Sequence, residues 1–176
     1  MKKLIVDFEA TCCAVNEFPR NEMEIIEIGA VLLGENGEEI ARYHNCVRPV
    51  KNPDLTEFCK TLTGITQKDV NLADPFESEI NNFLNWIIGE TDDDFIFYSW
   101  GDFDKNILKR QCDEYEIGCD WLINKHQNAK VKFAEKYNIR PKGVGSALRF
   151  KGWMFQGQAH RALDDALNIA RLVNLL

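Results

Sequence analysis

Two carboxylates stand two residues apart at the end of a short apolar run, where Leu4-Ile5-Val6 leads into Asp7-Phe8-Glu9. A run of aliphatic and β-branched residues this short reads as a buried strand. Alternation then puts Asp7 and Glu9 on one side and Phe8 on the other. Adjacent carboxylates at the end of a core strand repel each other and lose hydration unless a cation lies between them. The other reading is a strand end emerging into water. Two more acids share the difficulty. In the helix that follows Phe95 to Trp100, Asp102, Asn106, Lys109 and Asp113 fall on a polar side, while Asp104 shares its face with Leu108, Gln111, Cys112 and Tyr115. In the last helix, from about Arg161, the polar stripe is Arg161, Asp164, Asn168 and Arg171, while Asp165 lies with Ala162, Ile169 and Leu172. Asp102 and Asp164 are thus expected to be ordinary helix-start acids, and Asp104 and Asp165 to need a partner. His160 stands just before the last helix in the loop Gly157-Gln158-Ala159-His160, within reach of the same cleft. His44 and His126 read as surface or satisfied core histidines.

If Asp7, Glu9, Asp104 and Asp165 converge, they form an all-oxygen donor set suited to hard cations, Mg²⁺ or Mn²⁺. Two such ions ~3.5–4 Å apart clamp the attacking and leaving oxygens of a phosphoryl transfer. A neighbouring histidine, with an ordinary pKa of about 6.5, can take the proton of an attacking water. The chemistry expected is metal-assisted phosphodiester hydrolysis.

The elements that must position these groups follow from the rest of the chain. Thr11 to Met23 is polar and reads as a loop; Ile25 to Leu33 and Ile40 to Val47 read as strands joined by the turn Gly34-Glu35-Asn36-Gly37. Asp54 to Asp69 carries caps and turns around Leu62-Thr63-Gly64-Ile65-Thr66. Asp74-Pro75 opens an amphipathic helix with Phe76, Ile80, Phe83, Leu84 and Ile87 at helical spacing. Phe95 to Trp100 is a fourth strand. One or two helices follow in a basic region, then another short one from Gly143-Val144-Gly145-Ser146. The absence of repeats, low-complexity tracts and linkers leads to the expectation of a single domain over 1–176.

The chain has 176 residues, with 45% hydrophobic and 11% aromatic content, which excludes a disordered protein. No apolar run approaches the ~20 residues needed to cross a bilayer, and the start does not read as a signal peptide. Six scattered cysteines without a CxxC pair fit reduced thiols and a cytoplasmic location; zinc on Cys12, Cys13, His44 and Cys46 matches no common spacing. The net charge is −7, yet from Trp121 to Lys151 there are eight Lys or Arg and one acid, Glu135. Such asymmetry fits a face that meets phosphates, with Phe133, Tyr137, Phe150 and Trp153 interleaved for base stacking, or a solvated helical face with a basic bias.

Five segments occur in an order that resembles a known family: Asp-Phe-Glu-Ala-Thr at 7–11, Ile-Ile-Glu-Ile-Gly-Ala-Val at 25–31, Leu-Thr-Gly-Ile-Thr at 62–66, Phe-Asp-x-x-x-Leu at 103–108 and His-Arg-Ala-Leu-Asp-Asp-Ala at 160–166. They resemble the DEDDh 3′→5′ exonucleases of the DnaQ-like superfamily, closest to the histone-mRNA 3′-end type. The resemblance implies an α/β, ribonuclease H-like fold, a mixed five-stranded sheet flanked by helices on both faces. It implies that Asp7, Glu9, Asp104 and Asp165 hold two Mg²⁺ or Mn²⁺ ions and that His160 is the general base. Ala10 and Thr11 are then expected near the terminal nucleotide, with Phe58, Leu62 and Phe103 as an apolar wall. The implied reaction is hydrolysis of single-stranded nucleic acid, preferably RNA, from its 3′ end to nucleoside 5′-monophosphates. A single-strand deoxyribonuclease and an inactive binding module are the alternatives. Many relatives carry His-Gly-Ile-Thr where Thr63 stands here, and nothing matches the extra nucleic-acid-binding domain of larger members.

Overall fold

The computed structural model describes residues 1–15 and 17–176. Its centre is β1 (Lys2–Ala10), which pairs antiparallel with β2 (Ile25–Leu33) on one side and parallel with β4 (Phe95–Ser99) on the other. With β3 (Glu39–Cys46) beyond β2 and β5 (His126–Asn128) beyond β4, the order is β3-β2-β1-β4-β5, a mixed five-stranded sheet as expected. β5 escaped the sequence reading because His-Gln-Asn is three polar residues long; it is held by its ladder with β4 and by a 2.8 Å bond between the His126 Nε2 and Ser99 Oγ.

Strand alternation divides the core. Leu4, Val6, Phe8 and Ala10 face a layer containing α3 (Phe76–Glu90) and α4 (Phe103–Glu114), where Phe83, Ile87, Ile107 and Leu108 are buried. Ile5, with Val31 and Leu33, faces α8 (Ala162–Val173) through Ala166, Ile169, Ala170 and Val173. Asp7 and Glu9 share the parity of Ile5, so they project on the side of α8. α8 descends close to the sheet because Gly29, opposite Asp7, has no side chain: a Cβ there would lie 2.1 Å from the Ala162 carbonyl carbon.

The region of caps and turns holds two short helices that the sequence left unassigned, α1 (Glu57–Thr63) and α2 (Gln67–Leu72). Thr56 caps the first, Gly64 ends it at φ 70°, and Thr66 and Asp69 form a capping box on the second. After α5 (Asp120–Ile123) and β5, the basic region forms α6 (Ala129–Tyr137) and α7 (Val144–Phe150).

Two expectations are corrected here. Phe133 is not free to stack on bases: it is 1% exposed, packed 4.7 Å from Tyr137 and 5.7 Å from Trp100 between ring centroids. Its spacing on α6 serves a core, with Phe150 at the rim 5.7 Å from Tyr137 and Trp153 packed against the same cluster. Asn168 is not on a solvated stripe either. It is fully buried, exchanging bonds with the Gln156 backbone (3.0 and 2.7 Å), and so ties α8 to the segment before the His160 loop.

Candidate active site

The strand order reverses direction at β1: the chain leaves toward β2 on one side and reaches β4 on the other. In open α/β sheets, ligands bind at such a switch point, outside the carboxyl ends of the strands. β4 pairs with β1 only as far as Tyr98 opposite Ile5. Beyond that the β1 edge is open, and the Phe8 N–H donates to the Asp104 Oδ1 at 3.0 Å. Asp104 enters from the first turn of α4 and is 5% exposed.

Asp7, Glu9 and Asp165 meet at this edge, with carboxylate oxygens that all lie within 4.8 Å of one another. Among the described residues this is the one group of three or more His, Cys, Asp or Glu with metal-binding proximity. Asp104 stands outside that triplet, but among the neighbouring carboxylates its charge acts most strongly on Asp7. Burial, then Asp104 and Asp165, push Asp7 well above the carboxylate range; burial and Asp165 push Glu9 up to about 8. Burial likewise raises Asp104 to about 6 and lifts Asp165. Four acids that resist joint ionisation form a donor set that a divalent cation relieves.

The decoy acids are elsewhere engaged, as the helix phases predict. Asp102 accepts from Lys105 Nζ (3.1 Å) and Asn128 Nδ2 (2.9 Å). Asp164 accepts from the Gln158 N–H at 2.7 Å. One residue on, Asp165 accepts from the His160 N–H, also at 2.7 Å. The two acids therefore fasten the loop to the start of α8. His160 adopts a left-handed backbone (φ 64°), which histidine enters more readily than most residues, and its side chain is exposed.

A residue to which the sequence motifs assign no role sits beneath the site. Glu27, opposite Glu9, is fully buried and accepts from Arg161 Nε (2.9 Å) and Nη2 (2.6 Å), the Ala162 N–H (2.8 Å) and the His44 Nε2 (2.8 Å). Burial works to raise it, but these hydrogen bonds outweigh burial and hold it below its ordinary range. The available signal was one carboxylate inside the otherwise apolar run Ile25–Leu33, which is buried at every position.

The expected substrate contacts divide. Phe58 and Phe103, 42% and 49% exposed, line a cleft of ≈ 810 Å³ with Phe18, Met23, Ile107 and Arg110. Leu62 lies one turn from Phe58 on α1, 36% exposed, outside that lining. Ala10 and Thr11 are buried at the end of β1; the Thr11 hydroxyl accepts from the Glu24 N–H at 2.9 Å.

Residues 4–173 match the exonuclease family across nearly the whole chain. This chain belongs to the exonuclease family. It is 31% identical to ERI1 exoribonuclease 2 of Xenopus laevis over 97% of its length and 28% of the frog protein's. The 3′-5′ exonuclease Snipper of Drosophila melanogaster is also 31% identical, over 97% of this chain and 67% of the fly protein. The solved nuclease domain of 3′hExo, described as a DEDDh family member bound to rAMP, superposes with a TM-score of 0.89 at 30% identity, covering 99% of this chain and 90% of that one. The ribonuclease H-like fold expected for this chain is therefore the fold observed. The family depends on divalent metal ions, and the oxygen donors here suit such ions.

The raised carboxylates set the sign of a pH effect. An unfolded glutamate loses its proton near 4.5, whereas native Glu9 keeps it to about 8. Between those values the native metal-free protein binds more protons than the unfolded chain, so stability falls as pH rises. Raised Asp7 and Asp165 act in the same direction. In EDTA the melting temperature is expected to fall between pH 5.5 and 8. Saturating Mg²⁺ or Mn²⁺ should restore about 5–10 °C at pH 8 and less at pH 5.5. Scanning fluorimetry checks this, and a melting temperature that rises with pH in EDTA would contradict it.

Proposed function

We propose that this chain is a 3′→5′ exoribonuclease that shortens single-stranded RNA from its 3′ end, releasing nucleoside 5′-monophosphates. The observation that carries the reading is the convergence of Asp7, Glu9 and Asp165 within 4.8 Å, beside buried Asp104, in a chain of the exonuclease family. Asp7, Glu9, Asp104 and Asp165 would hold two ions, Mg²⁺ or Mn²⁺. Such ions, when bound, supply positive charge to the scissile phosphate and acidify water.

The chain's own groups do the remainder. Phe58 and Phe103 offer apolar faces to the terminal base, with Leu62 beside them and Ala10 and Thr11 at the strand end below. His160 takes the proton of the water whose oxygen attacks the terminal phosphorus. The bond to the 3′-oxygen of the preceding nucleotide breaks, and that oxygen takes a proton from solvent water to become the new 3′-hydroxyl end. The exposed imidazole on an N–H anchored to Asp165 supports that role. The preference for RNA is supported by the names of the relatives, and the chain spans only 28% of the first of them. We also read residues 1–176 as one exonuclease domain and place it in the cytoplasm, where a reducing milieu suits six free cysteines. No described helix is long and apolar enough to cross a membrane.

End-labelled oligonucleotides test the reading. With Mg²⁺ or Mn²⁺, 5′-labelled single-stranded RNA should shorten stepwise while 3′-labelled RNA releases mononucleotide at once, and EDTA should stop both. Cleavage from the 5′ end, or none in either metal, overturns it. A DNA strand shortened faster than RNA would move the substrate to single-stranded DNA.

A further inference from the structure

We propose that the face built from α6, the 138–143 connector and α7 holds the backbone phosphates of single-stranded RNA upstream of the scissile bond. Which part of the strand it holds rests on the exonuclease reading above. Elsewhere on this acidic chain, among the described residues, eight of the thirteen Lys and Arg (Lys2, Arg42, Lys51, Lys60, Lys105, Lys109, Arg110 and Arg161) have a carboxylate within 4 Å, and Lys3, Arg20, Arg48, Lys68 and Arg171 do not. On this face the pattern stops. Among the described residues, Lys125 is paired with Asp93, while Lys130, Lys132, Lys136, Arg140, Lys142, Arg149 and Lys151 have no carboxylate at that distance. Uncompensated charge of one sign repels itself and persists at low cost only where a counter-charge arrives.

Two of these cations are held in place without being neutralised. The Lys142 ammonium lies 5.2 Å from the centroid of the Phe150 ring, and that of Lys151 4.3 Å from Tyr137. A cation on an aromatic face keeps its charge and loses side-chain freedom, so less entropy remains to be lost on binding a phosphate.

The face also begins at the site. β5 runs parallel to β4, so α6 starts at the sheet edge where β1 ends. Asn128, which caps α6 through the Val131 N–H, donates to Asp102, two residues before Asp104. The Trp100 indole donates to the Lys142 carbonyl at 2.8 Å, drawing the connector to the same edge. From there nine residues of α6 extend the basic surface by about 13 Å. That run suits a strand several nucleotides long, whereas a short one reaches only the carboxylates.

The test removes four charges together, Lys130→Ala, Lys132→Ala, Arg140→Ala and Lys142→Ala. Binding of 5′-fluorescein-labelled U20 RNA is followed by anisotropy in EDTA from 50 to 200 mM KCl, and UUU turnover is measured with Mg²⁺ or Mn²⁺. Each phosphate contact on a single strand contributes about 0.7 to the salt slope, so four lower it by about 3. The wild type should then lose about 50-fold more affinity over that range than the variant, with UUU turnover unchanged within about twofold. Equal slopes overturn the proposal, as does a parallel fall in UUU turnover, which would put these residues in the site itself. Competition by polyglutamate as strong as by unlabelled RNA would also overturn it, in favour of an acidic protein. If the two proteins show the slope difference yet the wild type shortens neither U20 nor UUU, the exonuclease reading fails and the binding face stands.

Discussion

Asp165→Ala and Asp104→Ala should each abolish shortening of labelled RNA, while Asp164→Ala and Asp102→Ala should not. Burial opposes ionisation of the carboxylates at 104 and 165, the charge of Asp165 adds to it at Asp104, and bound cations relieve both. Removing one takes several kcal/mol from charge stabilisation at the phosphate. At about 1.4 kcal/mol per factor of ten, the rate falls about 10³-fold or more. The neighbouring acids have other partners. Asp102 is tied to Lys105 and Asn128, and its loss loosens the start of α6. Asp164 holds the Gln158 N–H, so its loss frees the loop and reduces the rate by about tenfold at most. Single-turnover assays on all four variants check the pattern. An inactive Asp164→Ala beside an active Asp165→Ala would assign the metal site to the wrong acid.

The second large effect concerns a residue that touches no substrate in the proposed reaction. Glu27→Ala leaves the Arg161 guanidinium and the Ala162 N–H without their buried acceptor. Breaking a buried pair on one side costs about 3–5 kcal/mol, and the melting temperature should fall by about 6–20 °C. Glu27→Gln keeps the shape and one acceptor, and should recover about half of that loss. The readout that separates positioning from mere support is kinetic. Well below its melting temperature, Glu27→Gln should lower kcat by about 10–100-fold with KM for U20 unchanged, since the start of α8 carries Asp165 and the His160 anchor while the binding surfaces lie elsewhere. Wild-type kcat in Glu27→Gln would remove the residue from the site's architecture.

The acids of the site were legible because each breaks a pattern. Asp7 and Glu9 end a strand too apolar to carry them, and Asp104 and Asp165 fall on faces that a solvated acid avoids. Helix phase separated each from its neighbour, a distinction of 100° per residue. Glu27 broke a pattern just as sharply but lacked a helix phase to give it direction; its partners, Arg161 and His44, are 134 and 17 residues away in sequence. The short helices α1 and α2 and the strand β5 were invisible for a different reason. They are three to seven residues long, too short for periodicity to register, and tertiary contacts decide them. The aromatic spacing of the basic region was visible and misleading, since a ring at helical spacing serves a core or a base equally well until its burial is known.

The two backbone anchors of the His160 loop tie two parts of the site together. The acids of α8 grip the Gln158 and His160 N–H groups, so the imidazole extends from a fixed pivot while the carboxylates keep their places on the sheet and helix. Substitutions between Trp153 and Ala159 reach that pivot without reaching Asp7 or Glu9. In the proposed reaction the surface loop carries the imidazole and the core carries Asp7 and Glu9, and Asp165, which anchors the loop and faces both acids, joins the two.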